Sequence, residues 1–322
     1  MLFFFTLLFT LAILEEIENR GGINVIEIGR EHVIGELSDL NPAVQCCQNG
    51  DTVVFHTRDC YDDSVVSESS DPLARKFANP ATGPLYVNGA VKGDILKVEI
   101  LDIEVASTGV MRTSVTDGGL SGIIQKKEVR IFSIVKGFIS FDSKLSLAID
   151  PMIGVIGTTP ENGKSVGTET PGEHGGNMDC RLIRKGSTLY LPVNCDGALL
   201  AMGDLHALMA DGEVMICGME CRGKVTITVQ VIKAVKLPTP FLLDEGFVMT
   251  IQSALTLDAA ARLASEKMHT FIMEACAVSI NKAAMLMSLL SHMTICQVVD
   301  PLKTVRMSFP LAILQEYGFR LP

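Results

Sequence analysis

Gly172-Glu173-His174-Gly175-Gly176-Asn177-Met178-Asp179 sets an imidazole, an amide and two carboxylates among glycines. Further along, Gly203-Asp204-Leu205-His206-Ala207 repeats the theme, followed by Asp211-Gly212-Glu213 and then Glu220. Glycine lets backbone turn sharply or approach another group closely, so polar side chains on such segments can converge on one point. Imidazole and carboxylate together suit a borderline or hard divalent cation, and such a cation activates water. The pattern predicts a metal-assisted hydrolytic site. A histidine in the set fits zinc better than calcium or magnesium, which prefer oxygen ligands.

Each motif also has a plainer reading. Asp204 and His206 stand two apart, so on an extended segment both side chains point to one face as metal ligands. Alternatively Asp204 caps a turn and the His206 ring packs with a hydrogen bond. Asp211-Gly212 is a common turn dipeptide, and Glu213 is either a general base or ligand, or the solvent-facing start of a strand. His174 can bind metal or polarise a carbonyl, and Asn177 can donate to an oxyanion. An Asn in a glycine-rich loop also commonly makes an Asx-turn. In Thr57-Arg58-Asp59-Cys60-Tyr61-Asp62-Asp63, Asp59 is either paired with Arg58 or a ligand brought in from afar. Cys60 beside it lacks a local activating base, which argues against a nucleophile.

Short strands must carry these loops. Asn24–Ile28, Asp51–Thr57, Ile95–Val105, Glu128–Val135, Ser187–Val193, Glu213–Glu220 and Lys224–Lys233 are rich in Val, Ile and Thr, and several alternate polar with apolar. Turn residues separate them at Asn88-Gly89, Asp117-Gly118-Gly119 and Asn162-Gly163. With no regular helices between, the strands predict an antiparallel β-sandwich or barrel-like core. Past Leu255 the pattern turns helical: Thr256 or Ser253 caps one helix through Met268 and beyond, and Ser279 caps a second that includes Ala283–Leu290. Strands Met293–Val299 and Thr304–Phe309 follow. The fold class expected is mainly β, with a few helices inserted near the C-terminus.

Composition narrows the function. A net charge of −10 without a Lys/Arg cluster argues against a nucleic-acid partner. Nine irregularly spaced cysteines without a CxxC pair fit free thiols in a reducing cytoplasm. There is no Trp, so the core must be built from Val, Ile, Leu and Met. The apolar run Met1–Leu14 is shorter than the roughly 20 residues of a membrane span and lacks the basic n-region and small-residue cleavage site of an export signal. No membrane partner is expected. Residues 1–22 are read as an apolar extension and 23–322 as one domain without internal repeats.

Several segments, taken in order, resemble the acetamidase/formamidase family. They are Thr57-Arg58-Asp59, Asn79-Pro80-Ala81-Thr82-Gly83-Pro84-Leu85-Tyr86-Val87 and Lys92-Gly93-Asp94-Ile95-Leu96-Lys97-Val98. Pro151-Met152-Ile153-Gly154-Val155-Ile156-Gly157, His174–Asp179, Gly203–Ala207 and Asp211–Glu213 complete the set. The resemblance runs from about Ile23 to Phe309. It implies hydrolysis of short aliphatic amides such as formamide or acetamide, a β-rich fold, cytoplasmic location and a homo-oligomer. On that reading Asp59, Asp204 and His206 hold the metal, and Glu213 is the base. His174 and Asn177 orient substrate and stabilise the oxyanion, with Asp179 and Asp211 as further substrate contacts. One departure stands out: Met209-Ala210 occupy the place where the family tends to read Gln-Gly, which makes the surroundings more apolar. The alternatives are a hydrolase or lyase for another small C–N substrate, or a non-catalytic binding homologue.

Overall fold

The computed structural model describes residues 25–322, and the N-terminal apolar extension lies outside the described residues. Its longest strand pairing is antiparallel, from Gly223↔Val105 to Ile232↔Ile95. This pair sits within a nine-stranded sheet ordered Val25–Ile28, Thr52–Thr57, Gly223–Ile232, Ile95–Val105, Thr188–Pro192, Phe241–Asp244, Phe247–Ala254, Lys303–Pro310, His292–Gln297. A second, eleven-stranded sheet runs Ser146–Ala148, Phe138–Ser140, Val129–Val135, Thr108–Arg112, Glu220–Cys221, Leu200–His206, Met152–Gly157, Gly175–Asn177. Ala81–Val87 also pairs with Leu200–His206 in that sheet. Pairing is antiparallel except where Val25–Ile28 meets Thr52–Thr57 and Gln45–Cys47 meets Ala81–Val87.

Period-two alternation decides what each face of the first sheet meets. Leu96, Val98, Ile100, Leu189 and Leu191 point into an apolar cluster shared with Ile153, Met202 and Leu205 of the second sheet. The intervening Ile95 and Tyr190 point the other way, with Phe241, Val248 and Phe309, onto the helix Leu257–Cys276. That helix answers with Ala260, Ala264, Met268, Phe271 and Ile272, at helical spacing along one face. Burying each large side chain of this kind stabilises the fold by about 1.5–3 kcal/mol, so the two clusters dominate cohesion. The result is three layers: helix, nine-stranded sheet, eleven-stranded sheet. The mainly β, antiparallel core with helices near the C-terminus is as the sequence predicts.

Both expected helix caps form. Thr256 accepts from the Ala259 amide and Ser279 from the Lys282 amide, each at 3.3 Å. The second helix runs Ile280–Leu290. A third, Leu311–Glu316, escapes sequence reading because it is barely more than one turn. Among the described residues no single helix is long and apolar enough to cross a membrane.

One predicted strand is not there. Glu213–Glu220 is a run of turns that becomes strand only at Glu220–Cys221. Glu213 and Ile216 have φ of 43° and 82°, left-handed values that break the extended run between them.

Candidate active site

Two neighbouring strands and two loops of the second sheet bring the acids together. In the register between Met152–Gly157 and Leu200–His206, Ile153 faces Leu205 and Val155 faces Gly203, but the Gly154–Asp204 step makes no ladder pair. Asp204 has φ of 55° there, so it leaves extended geometry inside a strand. A Cβ on Gly154 would fall 2.6 Å from Asp179 Oδ1 and 2.8 Å from Asp204 Oδ2. Only glycine at that position leaves room for both carboxylates. His206 is the ladder partner of Glu220 on the next strand, which sets their side chains side by side.

His206 Nε2 is consequently 3.2 Å from Glu220 Oε1, 3.5 Å from Asp204 Oδ1 and 3.8 Å from Asp179 Oδ1. Ligand-capable atoms of Asp179, Asp204 and His206 lie within 4.8 Å of one another, as do those of His206, Glu213 and Glu220. All five residues are buried. Asp204 Oδ2 accepts a 2.9 Å hydrogen bond from Asn79, and Glu220 Oε1 one of 2.9 Å from the Gly218 amide. Asp179, Asp204 and Glu213 all have positive φ, at 42°, 55° and 43°. Such backbone costs about 1–2 kcal/mol per residue, and strain of this kind collects at functional sites.

The electrostatics follow from crowding acids out of water. Burial, with Asp204 close by, pushes Asp179 up to about 6. Burial likewise pushes Glu220 up to about 7, against the pull of His206. Glu213 is held well above its ordinary value by burial and by the Asp179 carboxylate. Burial draws the His206 ring down, but Glu220 and Asp204 outweigh it and hold the ring well above its usual range. Among the described residues, no Lys or Arg forms an ion pair with these four acids.

A divalent cation fits this donor set. Asp179 Oδ1 and Oδ2, Asp204 Oδ1, His206 Nε2, Glu213 Oε2 and Glu220 Oε2 are buried with no hydrogen-bond partner. Buried polar atoms are rarely left so, and buried carboxylates require a partner of opposite charge. One imidazole among carboxylates is a set that zinc and harder dications accept.

Three residues singled out from the sequence stand outside the groups of ligand atoms, although Asp59 shares a cavity wall with Glu220 and Asp211 one with Glu213. Asp59 Oδ1 accepts from the Tyr61 and Asp63 amides, both at 2.9 Å, and so closes a turn. Asp211 is clamped by Arg306 through two bonds of 2.6 and 2.8 Å. His174 is buried against its own turn, where a Cβ on Gly176 would lie 3.0 Å from its Nε2. Burial alone lowers that ring to about 4. Asn177 donates at 2.9 Å to Asp300, whose carboxyl is raised by burial and by its neighbours Asp179 and Glu213. Cys60 does reach the acids, its sulfur grouped with Asp204 and Glu220. Burial and those carboxylates push the thiol well up, so it stays protonated.

Sequence reasoning missed Asp300 and the ligand geometry of Glu220. Glu220 carries no local motif, and only its strand register with His206 reveals it. Asp300 is delivered by a loop that Gln297 organises, its Oε1 accepting from the Val299 and Asp300 amides at 2.9 and 3.0 Å. The same strand end anchors the Glu213 loop through Gly212 N–H to Cys296 O at 2.9 Å.

Comparison with known proteins agrees with this architecture. The crystal structure of an acetamidase from Bacillus halodurans superposes with a TM-score of 0.89 at 44% identity, covering 91% of this chain and 100% of that one. A formamidase of Methylophilus methylotrophus is 45% identical over 67 residues, 20% of this chain and 16% of that protein. An acetamidase of Mycolicibacterium smegmatis is 35% identical over 96 residues, 27% of this chain and 24% of that protein. The matches to curated relatives span at most about half, 51%, of those relatives' length. The acetamidase/formamidase family pattern itself matches residues 38–163 and 161–244, well over half of the sequence, and the chain belongs to that family.

Proposed function

We propose that the protein hydrolyses a small carboxylic amide to a carboxylate and ammonia at the Asp179–Asp204–His206–Glu213–Glu220 cluster, with a divalent cation held there. The observation that carries the reading is the set of buried, unpartnered ligand atoms converging on one point in an amidase-family fold. Asp204 and His206 would be ligands, with Asp179 and Glu220 beside them in place of Asp59. Zinc is the cation the histidine favours. When bound, such a cation supplies Lewis acidity and a water of lowered pKa.

The chain's own groups account for the proton traffic. Water oxygen adds to the carbonyl carbon, the C–N bond breaks, nitrogen leaves as ammonia and the acyl carbon keeps oxygen as a carboxylate. Glu213 is the candidate to take the water proton and deliver it to the departing nitrogen, because its Oε2 makes no other bond. Asn177 is oriented by Asp300 so that its Oδ1 stays unpartnered, an acceptor suited to the substrate amide N–H. His174, away from the acids, is a support for the Gly172–Asn177 turn, and Asp211 positions the Glu213 loop rather than touching substrate.

The same reading extends to residues 23–322 as one unit, to a cytoplasmic homo-oligomer and to no nucleic-acid or membrane partner. One apolar cluster runs through both sheets, and all nine cysteines are free. The helix Ile280–Leu290 leaves Met285 and Leu289 exposed beside the edge strand His292–Gln297, an apolar face suited to a second copy.

The test is ammonia release from formamide, acetamide and longer primary amides, before and after dialysis against a chelator, with Zn²⁺, Ca²⁺ or Mg²⁺ restored singly. Turnover that is lost on chelation and recovered best with Zn²⁺ is expected. Full turnover after complete metal removal would overturn the cation, and no ammonia from any amide with metal-loaded protein would overturn the amidase reading.

A further inference from the structure

Beside the acid cluster lies a cavity of about 650 Å³, open to solvent, whose lining includes Glu213, Met209 and Gly218. It shares a wall with His206. Met209 Sδ is 3.3 Å from His206 Nδ1, and a Cβ on Gly218 would fall 2.6 Å from the same nitrogen. The rest of the lining is largely apolar, with Met111, Ile139, Phe141, Leu147, Met215 and Met219. Apart from Glu213, the charged side chains on it are already paired: Arg181 with Asp150, and Asp211 with Arg306.

This volume lies within the roughly 300–1,000 Å³ usual for sites that enclose drug-sized ligands. A one- or two-carbon amide would fill a small fraction of it and leave the methionines facing water. Met209 sharpens the point, because it stands where the resembling pattern carries a Gln. A thioether at that place offers soft, adaptable apolar contact instead of an amide's hydrogen bonds. Next to the acid cluster, Asn177 Oδ1 is an unpartnered acceptor and Asp300, a charge neighbour of Asp179 and Glu213, adjoins it. That acceptor suits the substrate's N–H₂, and the apolar cavity beside Glu213 is the space left for the acyl group.

We propose that this cavity is an acyl pocket and that the preferred substrate is a primary amide with a medium-length apolar acyl chain, not formamide or acetamide. The inference rests on the amidase reading above. The bonds made and broken are those already described, and only the acyl substituent differs.

The experiment is kcat/KM for ammonia release along acetamide, butanamide and hexanamide. Each added methylene that leaves water should raise it about fourfold, the equivalent of about 0.8 kcal/mol, giving on the order of 10²-fold from acetamide to hexanamide. The variants Met209→Gln and Leu147→Gln should each flatten the series, lowering the hexanamide-to-acetamide ratio roughly tenfold. A series that is flat or falls with length, while acetamide is turned over, overturns the pocket and leaves the amidase reading intact. Should no amide be turned over, calorimetric binding decides the pocket by itself. Hexanamide binding tighter than acetamide by the same factor, and weakened in Met209→Gln, supports it, and equal or undetectable binding of the two overturns it.

Discussion

Two buried histidines sit in surroundings of opposite electrical character. The carboxylates of Glu220, Asp204 and Asp179 stand 3.2 to 3.8 Å from His206 Nε2 and hold that ring well above its ordinary value. His174 meets no such acid, and burial alone takes it down to about 4. Glu220 reaches His206 from the paired strand 220–221 and Asp179 from the loop after strand 175–177, while Asp204 shares its strand. The His174 ring packs against Gly172 and Gly176 of its own turn, and its carbonyl accepts from the Thr158 amide. Convergence of distant segments, not glycine richness around a histidine, is what gathers ligand atoms here. One region is therefore read as chemistry and the other as scaffold.

The widest separation between the regions should appear in Glu213→Gln. Gln keeps the shape of Glu but cannot accept the water proton, so kcat should fall by roughly 10² to 10⁴ with little change in KM. Metal per subunit should stay near wild type. Loss of metal together with activity would make Glu213 a ligand, and survival of both would remove it from the site.

His174 sharpens the contrast through pH. Its ring binds a proton less readily in the folded protein, at about 4, than in the unfolded chain, at the ordinary imidazole value of about 6.5. Between those values the unfolded state holds more protons, so stability rises with pH. The contribution is complete above 6.5, is lost as pH falls to about 4 and is constant below that. The full loss amounts to about 3 kcal/mol. Urea unfolding at stepped pH should show a shallower acid decline in His174→Gln than in the wild type, with ammonia release at neutral pH within a fewfold. Identical pH profiles would mean that the ring is not buried neutral.

A smaller effect is expected where the two regions are tied to the C-terminal strands. Asp211→Asn breaks one side of the pair with Arg306, whose side chain is 7% exposed and would keep its charge without its partner. Stability should drop by about 2 kcal/mol, because Asp211 itself is partly solvated. Turnover should fall less than tenfold, since the Gly212 to Cys296 hydrogen bond still holds the Glu213 loop. A collapse of turnover as deep as that of Glu213→Gln would return Asp211 to the substrate.

Much of the scaffold was legible because its signals are local. Alternation in Gly223–Ile232 and Ile95–Val105 and the caps at Thr256 and Ser279 each report one element from a few residues. The site was legible only in part. Asp204, His206, Asp179 and Glu213 stood out by type and by their glycines. Glu220 and Asp300 did not, because register and a Gln297-organised loop place them. Asp59 and Asp211 were drawn in by their motifs and the family resemblance. Yet Asp211 is paired with Arg306 and one Asp59 oxygen is taken by two backbone amides, although burial still pushes the Asp59 carboxyl up to about 6. The absent strand at Glu213–Glu220 has the same origin: positive φ at Glu213 and Ile216 is imposed by tertiary contacts that β-propensity does not register.

The most direct measurement sets the two histidines against each other: metal per subunit and ammonia release, taken together, for His206→Asn and His174→Asn. The account predicts that His206→Asn loses bound metal and turnover together, by at least about a hundredfold in rate for a lost ligand contact, while His174→Asn keeps both near wild type. Full metal occupancy and turnover in His206→Asn, or their loss in His174→Asn alone, would contradict it.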